Sequence, residues 1–327
     1  MKELYDIARH ELIRSGKILI ISHRKPDADT LGAAIALRIW LRKMGKDVTL
    51  ACTDKPSNSF GFLPYLNEYV TDFDLKKLDV IVVVDSGASY MTNFQLKYPN
   101  IFDYGIPVIN IDHHASNEHY GTVNIVDPVA ASVTLMLHRI FNYWKVEIDC
   151  EMALCLLAGI YNDTGSFMHS NTSEEVYEVA ADLMNRGAKI GAMNSSLFRN
   201  RPISTLRLWG RALENVHVTE KNVALSVVRE EDCVKIGAKP EQLSGVIDYI
   251  NMVPGVNYAV LLNEDRRGNV KGSFRTKNDD VDLSKIAEDF GGGGHPKASG
   301  FCIQGKLDEQ VCYKIVSEDL SKKSLDF

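Results

Sequence analysis

Apolar positions recur along the chain with two spacings. Between Lys2 and Arg14 the residues Leu4, Ile7, Ala8, Glu11 and Leu12 fall near one stripe, which predicts a helix. Lys17 to Ser22 (KILIIS) is a continuous apolar run, as in a strand buried on both faces. A helix follows from Leu31 to Gly45, with Gly45 as its stop. Asp47 to Cys52, Asp79 to Ser86 (DVIVVVDS) and Pro107 to Asp112 (PVINID) read as further strands. Helices are expected over Ser132 to Tyr143 and Glu151 to Tyr161. A third is expected over Thr172 to Gly187, opened by a capping box of Thr172 with Glu175. Val/Ile runs alternating with helices imply an α/β fold whose mostly parallel sheet is covered on both sides.

The pattern weakens over 187–202 and then changes. Asn222 to Val228, Tyr258 to Asp265 and Asn269 to Thr276 read as strands, the last two joined by a hairpin with Gly268-Asn269 at its tip. A short helix over Asp282 to Phe290, the stretch GGGGHPKASGF, a last strand and a C-terminal helix complete the chain. The expected organisation is a first domain over 1–188, a linker helix region over 189–212 and a smaller α/β domain with a mixed sheet over 213–327.

Composition narrows the function. The chain has 327 residues, 45% of them hydrophobic and 24% charged, enough apolar content for two cores. A formal net charge of -6 argues against a broad electrostatic nucleic-acid binder. No apolar run is long enough to span a bilayer, and no signal-peptide core follows the N-terminus. The six cysteines form no Cys-x-x-Cys pair. They read as thiols of a reducing cytoplasm, and a cysteine-based zinc site is not expected.

The polar residues that end the apolar runs carry the chemistry. His23, Asp27 and Asp29 follow the first strand, Asp85 ends the third, and Asp112-His113-His114 ends the fourth. Asp163 follows an apolar helix. In an open parallel sheet, ligands collect at the carboxyl ends of strands. Carboxylates and imidazoles without thiolates suit Mn²⁺ and related divalent ions, with Mg²⁺ or Co²⁺ as alternatives. Two such ions can clamp a phosphate and generate a hydroxide near neutral pH. Asp27-x-Asp29 would let one loop feed both ions, and Asp85 at the sheet centre is the natural bridge. Each residue alone also fits a blander role. Asp27 and Asp85 could form turns, and Asp163 could stop a helix. Adjacent residues on a strand face opposite ways, so His113 and His114 cannot both join the site unless a turn begins there.

The set His23-x-x-x-Asp27-x-Asp29 with Gly32, then Asp85-Ser86, Asp112-His113-His114 and Asp163, resembles the DHH phosphoesterase family. GSFRT followed by GGGGHPKASGF resembles its DHH-associated C-terminal domain. Ala33 stands where many members carry Ser. The resemblance covers nearly the whole chain and extends to the two-domain branch that contains oligoribonuclease (nanoRNase) and pAp phosphatase enzymes. It implies an active-site cleft between the domains. It places His23, Asp27 and Asp85 on one metal, and Asp29, Asp85, His113 and Asp163 on the other. His114 and Asp85 are then the catalytic residues, with His114 facing the phosphate and Asp112 supporting it. Arg275, Thr276, Lys277, Gly292, Gly293, Gly294 and His295 are the expected substrate contacts. The linker helix with Arg207 and Arg211 would adjust the cleft, and Arg199 and Arg201 could reach phosphate. Expected substrates are short single-stranded RNA or dinucleotides, with pAp as a second. A cyclic-dinucleotide phosphodiesterase and a non-catalytic nucleotide-binding module are the alternatives. A cytoplasmic enzyme without membrane contact, and a homodimer through the first domain, complete the expectation.

Overall fold

The computed structural model describes residues 1–197 and 202–308. Arg199, Arg201 and the expected C-terminal helix lie outside the described residues. The chain separates into two compact units, Met1–Arg201 and Pro202–Phe327.

Among the described residues the first unit carries five strands, β1 (Lys17–Ser22), β2 (Asp47–Ala51), β3 (Val80–Val84), β4 (Val108–Asp112) and β5 (Val123–Val126). They pair in the order β2-β1-β3-β4-β5, and every pairing is parallel. The chain steps outward from β1 to β2, then returns to place β3 on the other side of β1. The carboxyl ends of β1 and β3 therefore flank the point where the strand order reverses, where an open α/β sheet forms its crevice. The helices are α1 (Lys2–Arg14), α2 (Ala28–Lys43), α3 (Val133–Trp144), α4 (Cys150–Asp163), α5 (Glu174–Asn185) and α6 (Ile190–Leu197).

Strand alternation divides the core. Ile18, Ile20, Val80, Val82, Val84, Ile109 and Ile111 face α2, α3 and α4. Leu19, Ile21, Ile81, Val83 and Val108 face Phe94 and Ile101, which come from short 3₁₀ turns and loops rather than helices. Helix α2 is buried from Ala28 to Leu41, so it turns no face to solvent over that stretch. Close packing against α4 explains Gly32: a Cβ there would lie 2.3 Å from the Cys155 carbonyl oxygen.

Several expectations shift. Helix α2 begins at Ala28, not Leu31, because Asp27 caps it by accepting the Asp29 and Thr30 N–H groups. The buried residues of α1 are Tyr5, Ala8 and Leu12, while Ile7 is exposed. Helix α5 is capped by Ser173, which accepts from the Val176 N–H, not by a Thr172–Glu175 box. Glu175 instead forms a two-pronged ion pair with Arg139 of α3.

The second unit holds α7 (Ile203–Glu214), β6 (His217–Val218), β7 (Val223–Val228), α8 (Glu230–Ile236), α9 (Val246–Ile250), β8 (Tyr258–Glu264), β9 (Asn269–Arg275), α10 (Leu283–Glu288), β10 (Gly293–His295) and β11 (Ala298–Gln304). Its sheet runs β10-β11-β9-β8-β7-β6. It is mixed, because β7 and β8 pair in parallel and the rest antiparallel. Gly268 makes the β8–β9 turn at φ 74°, where glycine carries no Cβ penalty. Asn269 already belongs to β9. Helix α7 packs on this unit, with Leu208 and Ala212 in its core. Arg211 pairs with Asp232. No described helix is long and apolar enough to cross a membrane.

Candidate metal centre

Asp85 follows β3 with φ 57°, a left-handed backbone that L residues enter at a cost. The Thr30 hydroxyl braces this turn by donating to the Val84 carbonyl. The carboxylate is thereby aimed between two groups of side chains. Its Oδ2 lies 3.3 Å from His23 Nε2, and Asp27 Oδ1 lies 3.9 Å from the same nitrogen. Its Oδ1 lies 3.5 Å from His113 Nε2, which is in turn 3.4 Å from Asp163 Oδ2. One oxygen thus faces each group. In both His23–Asp27–Asp85 and Asp29–Asp85–His113, the potential ligand atoms all lie within 4.8 Å of one another.

The imidazoles are oriented by their other nitrogen. His113 Nδ1 lies 3.1 Å from the Ala130 carbonyl oxygen, and His23 Nδ1 lies 2.8 Å from that of Arg24. A carbonyl only accepts, so each Nδ1 carries the hydrogen and each Nε2 is turned toward the carboxylates. His114 Nδ1 donates to Asp112 Oδ1 over 2.7 Å. Because β4 ends at Asp112, the alternation of the strand ends too, and both histidines reach Asp85. Their rings meet edge to face, with centroids 4.9 Å apart.

Asp29 sits in the first turn of α2 and is fully buried. Its Oδ2 accepts the Val133 N–H and its Oδ1 accepts both the N–H and hydroxyl of Thr134. The carboxylate therefore also closes the N-terminus of α3, where an anion is favoured. Gly159 of α4 leaves the room: a Cβ there would lie 2.4 Å from Asp29 Oδ1. Asp163 ends α4, with its carbonyl accepting from Asn171.

Without a cation, Asp29, Asp163, His23 and His113 are shifted toward their protonated forms and Asp85 is held ionised. Burial, then the charge of Asp85, pushes Asp29 up to about 7. Burial, then Asp29, Asp27 and Asp85, raises Asp163 well above the usual carboxylate range. Burial opposes charge on His23 and His113, yet Asp85 and the neighbouring acids outweigh it and carry them to about 10 and about 11. Burial also disfavours a charged Asp85, but bonding to His113 and His23 holds it well below its normal range. Asp85 Oδ1 is nonetheless buried without a well-formed hydrogen bond, the His113 and His114 nitrogens standing 3.5 and 3.7 Å away. A buried carboxylate oxygen left in that state calls for a cation. The donor set of carboxylate oxygens and imidazoles fits a hard or borderline divalent ion.

Sequence reasoning missed the polar wall behind the histidines. Asn117 donates to both Asn110 Oδ1 and Asp112 Oδ2. Asn110 donates to the Ser86 carbonyl and to the Tyr120 hydroxyl. The available signal was Asn110 itself, a lone amide inside the apolar run of β4.

The residues expected to hold substrate divide in the second unit. Arg275 on β9 pairs with Asp248 of α9 over 3.0 Å. The Thr276 hydroxyl is committed to the Asn257 carbonyl and the Asn278 N–H, and Lys277 is exposed. The glycine run forms an edge strand, with Gly293, Gly294 and His295 paired to Gly300, Ser299 and Ala298. Added Cβ atoms would lie 2.2 Å from the Gly300 carbonyl oxygen at Gly292 and 2.6 Å from that of Ala298 at Gly294. These two glycines thus serve backbone packing, while Gly293 has open space.

Comparison with known proteins places the chain in a family. Residues 17–160 match the DHH family, N-terminal domain, and residues 220–322 match the DHHA1 domain. The bifunctional oligoribonuclease and PAP phosphatase NrnA of Thermus thermophilus is 32% identical over 307 residues, covering 93% of this chain and 89% of that protein. The chain belongs to the DHH family. A second relative, NrnA of Bacillus subtilis, is 26% identical over 90% of this chain and 92% of its own length. An exopolyphosphatase-related protein from Bacteroides fragilis shares the fold, with a TM-score of 0.86 at 24% identity, covering 94% of this chain and 93% of that one. DHH phosphoesterases depend on divalent metal ions, and the acid–imidazole clusters of this DHH protein could bind them.

Proposed function

We propose that this DHH protein is a two-metal phosphoesterase. It hydrolyses short oligoribonucleotides and dinucleotides to nucleoside monophosphates, and pAp to AMP. The observation that carries the reading is Asp85, whose two oxygens face separate groups of ligand atoms and whose Oδ1 has no well-formed hydrogen bond. His23, Asp27 and Asp85 would hold one ion, and Asp29, Asp85, His113 and Asp163 the other. Manganese is the first choice, since carboxylate and imidazole together suit it. Two divalent ions there would neutralise phosphate charge and ease ionisation of water. His114 is held by Asp112 so that its Nε2 addresses the phosphate. Although burial works against its charge, Asp112 and Asp85 raise its pKa, which suits it to give a proton to the leaving oxygen. From the second unit, His295, Arg275 and the open backbone at Gly293 are proposed to grip the nucleotide, with Lys277 nearby in sequence.

The relatives named for oligoribonuclease and PAP phosphatase activity support this substrate class. The test is turnover of a 5′-phosphorylated RNA dinucleotide, a longer RNA, pAp and cyclic di-AMP, each with Mn²⁺, Mg²⁺ or EDTA. Metal-dependent cleavage of the dinucleotide and pAp, abolished in His113→Ala, is expected. Preference for the cyclic compound would change the substrate, and no turnover of any with metal bound would overturn the enzyme reading.

A further inference from the structure

Three loops meet beside His23, and their backbones are tied together. The Arg24 N–H donates to the Met91 carbonyl. The Cys52 thiol donates to the His23 carbonyl, and the Thr53 hydroxyl to that of Thr92. Asp54 accepts the Lys25 N–H, which fixes Lys25 at φ 51°. A lysine has no local reason to adopt this left-handed backbone. The loops following β1, β2 and β3 thus form one braced rim next to the candidate metal centre.

That rim presents three side chains to solvent. Arg24 and Lys25 are exposed, and Tyr90 is 61% exposed on the 3₁₀ turn Ser89–Thr92. None of the three makes a side-chain hydrogen bond, ion pair or ring contact among the described residues. An exposed tyrosine alone is ordinary, and so is an exposed lysine. Two cations that directly follow His23 in sequence, and an aromatic ring one residue before Met91, on loops tied together by four hydrogen bonds, are a different matter. This is the combination that holds a nucleotide: cations for phosphate and a ring for the base.

Building on the phosphoesterase reading, we infer that Arg24, Lys25 and Tyr90 form a subsite for the nucleoside and phosphate adjoining the scissile bond. Tyr90 stacks on the base. Arg24 and Lys25 hold the neighbouring phosphate, so substrates with a second phosphate are preferred.

The test compares a 5′-phosphorylated RNA dinucleotide with two analogues that each lack one base. In the wild type, loss of one particular base should raise KM roughly tenfold. Tyr90→Ala should raise KM for the intact dinucleotide by a similar factor and remove its discrimination against that analogue, with Tyr90→Phe restoring both. Arg24→Ala with Lys25→Ala should flatten the salt dependence of KM. A Tyr90→Ala enzyme that keeps the wild-type base preference would overturn the subsite while leaving the phosphoesterase reading intact. A wild type that cleaves none of the three would overturn the reading itself.

Discussion

Asp85 combines a left-handed backbone, burial and an oxygen without a well-formed hydrogen bond. The strained backbone aims the carboxylate, and cations on either side would offset the cost of its buried, unpartnered oxygen. The same logic fixes a pH dependence. His23 at about 10, His113 at about 11 and Asp29 at about 7 all hold protons at or near neutrality that a cation must displace. Metal binding should therefore release protons and tighten as pH rises from 5 to 8. Calorimetry of Mn²⁺ binding in buffers of different ionisation enthalpy should show this, and a buffer-independent enthalpy would contradict it. Gly159 gives a second handle. Its replacement by Ala forces a Cβ against Asp29 and Thr134. Gly159→Ala should weaken metal binding and cost about 1–3 kcal/mol in urea unfolding. Unchanged binding would show that Asp29 can move aside.

At the level of elements, the strands β1, β3 and β4 were legible because a strand buried on both faces must be apolar throughout. Their ends were legible because the apolar runs give way to Ser22-His23, Asp85-Ser86 and Asp112-His113 where the crevice begins, although Asn110 interrupts β4. Strand β5 was missed: its four residues alternate between buried and half-buried and carry an asparagine. Strand β10 was missed because glycine has no strand preference of its own, and pairing with β11 imposes the conformation. This assigns different tolerances to neighbouring glycines. Gly292→Ala meets backbone at 2.2 Å, whereas Gly293→Ala meets nothing within 4 Å. Thermal unfolding of the second unit should fall for the first variant and stay near wild type for the second. Equal loss in both would refute the packing role.

Among the described residues each unit has its own apolar cores, two in the first and two in the second. The division into a parallel-sheet unit and a mixed-sheet unit could be read from the change in apolar pattern near the middle of the chain. The grouping of His23, Asp27, Asp85, His113 and His114 follows from strand order, which puts the ends of β1, β3 and β4 side by side, while α2 and α4 bring Asp29 and Asp163. What could not be read was orientation. The turn at Asp85, the Asn110–Asn117 wall and the hold of α3 on Asp29 depend on contacts far apart in sequence. The central claim is that Asp85 joins two cation sites, and metal stoichiometry tests it most directly. Titration of metal-free protein with Mn²⁺, read by calorimetry and by elemental analysis after dialysis, should give two ions per chain. Asp27→Ala should retain one, and Asp85→Ala should bind neither tightly. Two tightly bound ions in Asp85→Ala would contradict the bridging role.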